Sequence, residues 1–276
     1  MRPGSDEIYR IAHAHGVDLI GIAPVDSIEL GHPARPAEDL LPGARTSITF
    51  AASLLWGALN CPRGTKGAVK DTQLAYERIE GASAAVGRFL ESRGEASYII
   101  PASLPVDTIR HNGASYYAAE WSHRQAAIAA GLGVKGLNNL LITPEFGPYI
   151  RLGGILTRAE IPTTRRELPD DPCSRCEKCI KACPVGALNP DPDAVPRLNQ
   201  AKCKSRYIRP FLHETRWKTI KSLFTTPGIG SLGVQVVMEG YYFSCAECMR
   251  VCTKGRLEAR QGGGGDSGRP GGLPAQ

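Results

Sequence analysis

Apolar and polar positions along the first hundred residues switch between a helical and a strand period several times. Ser5 reads as a helix N-cap, with Asp6 and Glu7 in the first turn, and opens an amphipathic helix that Gly16 ends. The run from Val17 to Ala23 alternates little and reads as a buried strand. Gly31 to Arg45 is rich in Pro and Gly and predicts a loop, followed by a second strand over Thr46–Ser53 and a further loop over 57–70. From Asp71 to Arg93, Leu74, Ile79, Ala82, Ala85, Val86, Phe89 and Leu90 fall near helical spacing, and Gly94 closes that element. Ala96 to Ile100 forms the next strand. Helices alternating with strands predict an α/β N-terminal domain with a mixed sheet.

The pattern then loosens. An Ala-rich helix begins near Ser122 and runs into Gly131, Gly133 and Gly136, formally a GxGxxG. A dinucleotide fingerprint needs a strand before the glycines and a helix after them; here the order is reversed, so a Rossmann site is rejected. What remains is a turn whose glycines let backbone approach a ligand closely. A hairpin is expected next, with Leu140–Thr143 pairing with Tyr149–Thr157 across Glu145-Phe-Gly-Pro. His123, Tyr116 and Tyr117 are candidate proton donors; the alternatives are a structural helix-start histidine and core tyrosines.

After Pro162 the chain becomes a polar linker leading to Cys173-Ser-Arg-Cys176-Glu-Lys-Cys179-Ile-Lys-Ala-Cys183-Pro184. This CxxCxxCxxxCP run is the bacterial ferredoxin pattern, in which three thiolates hold one [4Fe-4S] cube and the fourth ligates another. It predicts a second cysteine set, and Cys203, Cys245, Cys248 and Cys252 supply it. Crossover assigns Cys173, Cys176, Cys179 and Cys252 to one cluster, and Cys183, Cys203, Cys245 and Cys248 to the other. Zinc, which favours paired CxxC knuckles, and a disulfide framework are the competing readings. Cys61, the ninth cysteine, reads as an unpaired thiol in a polar loop. The expected organisation is an α/β domain over 1–165, a dicluster ferredoxin-like domain over 166–260, and a disordered Gly-rich tail over 261–276.

Composition narrows the setting. The chain has 276 residues and is 42% hydrophobic, with no apolar run of about 18 residues for a membrane span and no signal-peptide core, so a reducing cytoplasm is the expectation. The net charge of +6 is concentrated near the cysteines, at Arg158, Arg165, Arg166, Arg175, Lys178, Lys181, Arg197, Lys202, Lys204, Arg206 and Arg209. Such a face would attract an acidic flavodoxin or ferredoxin, or a nucleic-acid backbone; its bland reading is a solvated surface that offsets thiolate charge. The basic, aromatic segment from Arg206 to Lys218 is the best place for a partner surface.

Asp18-Leu-Ile-Gly-Ile-Ala-Pro, Pro42-Gly-Ala-Arg, Ala130-Gly-Leu-Gly with Gly136 and Asn138, Leu140-Leu-Ile-Thr-Pro-Glu-Phe-Gly, Arg151-Leu with Ile155-Leu-Thr, and the eight cysteines together resemble the superfamily of epoxyqueuosine reductases and corrinoid reductive dehalogenases. The chain looks like a short, divergent member. The resemblance implies two [4Fe-4S] clusters, cobalamin lined by Gly131, Gly133, Gly136, Asn138 and Arg151, and a low-potential electron donor such as flavodoxin or ferredoxin. Its substrate would be a small molecule or a modified nucleoside, with tRNA as one alternative and a ferredoxin-like carrier or corrinoid-activating accessory protein as another. Several positions depart from the pattern: Tyr117 stands where the family's proton-donating Asp is expected, Val134 and Leu137 replace the usual Trp and Lys, and Thr253 follows Cys252 in place of Pro.

Overall fold

The structure is a computed structural model that describes residues 4–29, 35–60, 65–102, 107–111, 114–118, 120–163, 166, 168, 171–191, 198–203 and 245–255. Cys61, the segment from Arg206 to Lys218 and the tail from 261 lie outside the described residues.

Helix α1 (Ser5–Ala14) leads through the left-handed Gly16 into β1 (Leu19–Pro24). Gly4 occupies the cap position and Ser5 is already helical, so the cap falls one residue earlier than expected from sequence. A short α2 (Ala37–Leu40) precedes β2 (Thr46–Ser53), whose limits match the apolar run. Helices α3 (Trp56–Asn60) and α4 (Thr65–Glu91) then occupy part of what sequence reads as loop over 57–70. Asp71, where the helical spacing begins in sequence, lies inside α4, and its carboxylate accepts from Leu55 N at 2.7 Å, tying the segment after β2 to α4.

Four strands make the central sheet, β1, β2, β8 (Ile150–Thr157) and β3 (Ser97–Ile100) in that order, and every neighbouring pair is antiparallel. The sheet is therefore not mixed. Chain direction alternates because β8, distant in sequence from both neighbours, inserts between β2 and β3, with Phe50 opposite Gly153 and Ile155 opposite both Ile48 and Ile99. The expected hairpin is also corrected: β7 (Leu141–Ile142) pairs with β6 (Val134–Lys135), and 143–147 closes through one bridge, Thr143 to Gly147. β8 forms its ladders in the central sheet, where its apolar residues are buried on both faces.

The two faces explain why β2 is buried along nearly its whole length. Ile48, Phe50 and Ala52 join Ile8, Ala12, Ile79, Val86 and Ile155 in a core beneath α1 and α4. Ala51 faces the opposite way and packs with Trp121, Ala126, Leu132, Ile150 and Leu156 beneath α5 (His123–Ala129). A second two-stranded ladder joins β4 (Asp107–His111) to β5 (Ala114–Ala118). The described cysteine segments contribute α6 (Lys178–Lys181) and α7 (Glu247–Arg250), which pack together, and a bridge between Leu188 and Leu198. Ala246 and Met249 belong to the same core as α1 and α4, so the last cysteine segment is seated on the N-terminal layers. No helix among the described residues is long and apolar enough to cross a membrane.

Candidate functional site

The local backbone turns the cysteine run inward. Arg175 and Glu177, flanking Cys176, adopt φ of 50° and 56°, a region that non-glycine residues rarely occupy. Successive backbone N–H groups in such a conformation form a concavity suited to an anion. The Lys178 N–H is directed at Cys176 and holds its thiol below the ordinary range. Downstream, Ala187 N donates to Cys183 Sγ at 3.2 Å. Neither Arg175 nor Glu177 carries a sequence signal for this geometry.

The eight cysteines line two separate cavities, four in each. Cys183, Cys203, Cys245 and Cys248 line one of about 280 Å³, together with Asn138, Leu140, Arg151 and Met249. Cys173, Cys176, Cys179 and Cys252 line a tighter one of about 30 Å³, with Leu137, Asn138, Lys178 and Lys254. Each cavity thus draws one cysteine from the chain segment that supplies three or two to the other. Cys176 is exposed, whereas Cys248 is half-buried.

Burial pushes the Cys179 thiol up to about 11 and the Cys248 thiol up to about 12, and raises Cys252; neighbouring thiols add to each shift. Such groups keep their protons at neutral pH until a cation replaces them. Among the described residues no three His, Cys, Asp or Glu side chains are arranged for a single metal ion. A cubane asks for something else, one thiolate at each iron and hence sulfurs spread over the corners of a cluster. The larger cavity fits such a group. The smaller one is tighter, and its four cysteines stand in its wall with Lys178 and Lys254. Both lysines offset thiolate charge.

The residues assigned to a corrinoid do not assemble a cradle of their own. Gly131, at φ 74°, is crowded by the backbone of Arg166, while Gly133 and Gly136 abut Ile142. The close approach these glycines allow is to the chain itself. Asn138 and Arg151 line the larger cysteine cavity. His123 follows the Ser122 cap and its Nε2 lies 3.0 Å from Pro101 O; burial holds its pKa below the usual value. It lines neither cysteine cavity. Tyr116 and Tyr117 lie on β5 opposite Ile109 and Thr108; their side chains lie outside the described residues.

Sequence reading passed over Arg124, which reaches from α5 to donate to Asn139 O and fixes the turn beside both cavities. Asn139 has φ 62°, a conformation its residue type favours, and so did carry a signal.

No family model matches the chain. It is 44% identical over 69 residues to an epoxyqueuosine reductase of Bacillus cereus, covering 25% of this chain and 18% of the relative. It is 35% identical over 124 residues to a tetrachloroethene reductive dehalogenase of Desulfitobacterium hafniense, covering 40% and 20%. The chain therefore matches about a fifth of these relatives' length. A solved epoxyqueuosine reductase bound to an epoxyqueuosine-modified tRNA stem loop shares the fold with a TM-score of 0.56 at 22% identity, over 94% of this chain and 65% of that one. A catabolic reductive dehalogenase does so at 0.63 and 16%, over 94% and 34%. Sequence and fold point the same way: in both, the chain is similar to epoxyqueuosine reductases and reductive dehalogenases.

Proposed function

We propose that this chain is an oxidoreductase that relays single electrons through two [4Fe-4S] clusters to a bound cofactor, cobalamin, for reductive chemistry. The observation that supports it is the sorting of eight cysteines into two cavities of four, each completed by a residue distant in sequence. The clusters would supply one-electron transfer. Cys173, Cys176, Cys179 and Cys252 would hold the outer one, and Cys183, Cys203, Cys245 and Cys248 the inner one. The N–H groups of Lys178 and Ala187 stabilise thiolate sulfur, and Lys178 and Lys254 balance the outer cluster's charge. Exposed Cys176 makes the outer site the place where an acidic flavodoxin or ferredoxin would dock, beside Arg175, Lys178 and Lys181.

Cobalamin enters this reading through the relatives, one of which is described in terms of B12-dependent dehalogenation. No step is assigned through it, because the described residues that would line it are packed against the chain or against the cysteine cavities. That same packing favours a second reading, a ferredoxin-like carrier or corrinoid-activating protein that passes electrons to another protein's cofactor. A modified tRNA is a further candidate substrate, given the relative bound to a tRNA stem loop.

Anaerobic titration of the cluster-loaded protein with cob(II)alamin, followed by electron paramagnetic resonance, separates these. Saturation near one equivalent supports the reductase; no binding with both clusters intact selects the carrier. A tRNA titration over a range of salt concentrations tests the nucleic-acid substrate.

A further inference from the structure

Asn138 is the one described residue that lines both cysteine cavities. It is 5% exposed. Its Oδ1 accepts from Leu140 N at 3.1 Å, an Asx turn that fixes the amide plane and turns Nδ2 away from the hairpin. Arg124 anchors the adjoining Asn139 carbonyl, so the turn is held from α5 as well. Asn138 borders both cavities, and a cluster filling either one would offer its amide N–H an acceptor. Its neighbours in the two linings, Leu137, Ile142 and Leu140, offer no donor of their own side chains.

We propose that Asn138 is a positioning residue for electron transfer between the clusters: its Nδ2–H donates to a cluster sulfur at the partition and sets the two potentials apart. This rests on the two-cluster reading above. A hydrogen bond to sulfur stabilises the more negative, reduced state, so the cluster that receives it has the higher potential. One electron then passes downhill to it as the neighbouring cluster is oxidised, and no proton moves.

The test is a redox titration of the anaerobically reconstituted full chain, followed by electron paramagnetic resonance, on the unaltered protein, Asn138→Asp and Asn138→Leu. Asp keeps the acceptor for Leu140 N while removing the donor. The reduction equilibrium constant of one cluster is expected to fall about tenfold, which is 59 mV for one electron, while the other shifts much less. Two clusters with unchanged potentials in Asn138→Asp overturn the inference and leave the cluster reading standing. If neither variant takes up clusters, the unaltered protein decides. Pulsed resonance on chain labelled at the side-chain nitrogen of asparagine should show that nitrogen coupled to a reduced cluster, and absence of the coupling overturns the proposal. Fewer than two clusters in the unaltered protein overturns the cluster reading and this inference with it.

Discussion

Arg250 Nε donates to Leu59 O at 2.6 Å, joining the helix that carries Cys248 to the end of α3 in the N-terminal layers. Glu247 holds the same guanidinium at 2.8 Å and itself lines the larger cysteine cavity. Arg250→Ala removes a charged hydrogen bond, which is worth about 1.5–3 kcal/mol. Thermal unfolding should show a lower Tm, and the variant should lose iron faster on gel filtration. Arg250→Lys should recover only part of this, since a point charge does not reproduce the forked contact. An unchanged Tm in the alanine variant would mean the contact holds nothing together.

Cys183→Ala removes one ligand from the larger cavity and none from the smaller. Iron per reconstituted chain should fall from about eight to about four, the content of one remaining cube. Iron and sulfide analysis reads this directly. Loss of both cubes would show that the two sites do not assemble independently.

Gly147 and Gly94 share a left-handed backbone and differ in surroundings. A side chain at Gly147 would strike the backbone of Lys254, whereas nothing lies within 4 Å at Gly94. Gly94→Ala should cost about 1–2 kcal/mol, the strain of the conformation alone. Gly147→Ala should cost more in denaturant unfolding and should also weaken cluster retention, because Lys254 borders the smaller cavity. Equal losses at the two positions would count against the backbone crossing.

Burial depresses the pKa of His123 below its value of 6.5. The unfolded chain therefore takes up its proton at a pH where the folded chain does not. The stability linked to this group is fully present above about pH 6.5 and is lost as the pH falls toward the folded value. His123→Gln should flatten the decline between about pH 6.5 and pH 5 in unfolding measurements. A decline of the same slope in the variant would place its origin elsewhere.

Where the local pattern was strong, the sequence could be read directly: Thr46–Ser53 is β2 to the residue, because a run rich in β-branched and apolar residues between Pro/Gly-rich loops leaves little choice. The partner of a strand is a different matter. Nothing near Tyr149–Thr157 signals that it will pair with Thr46–Ser53 about a hundred residues earlier, and the nearest apolar run, Leu140–Thr143, was the natural but mistaken partner. The start of α4 was misplaced for a similar reason, since Asp71, where the helical spacing begins, lies inside the helix and its carboxylate serves a contact across the fold. In the site, cysteine spacing announces the ligand type. The left-handed turns at Arg175 and Glu177, the reach of Arg124 and the shared wall at Asn138 arise only once distant segments meet.

The two cysteine cavities also impose an order in time. Cys252 follows Cys179 by 73 residues, which at about 5–20 residues per second is roughly 4–15 s of synthesis. During that interval the first three thiols have no fourth companion, and Cys183 waits almost as long for Cys245 and Cys248. The antiparallel sheet, by contrast, has all its strands by Thr157. Ala246 and Met249 reach its core in the same final stretch that brings the closing cysteines. Completion of the hydrophobic core and closure of the thiol sites are therefore one late event, and a nascent chain that stalls before it presents open thiols on a nearly finished scaffold.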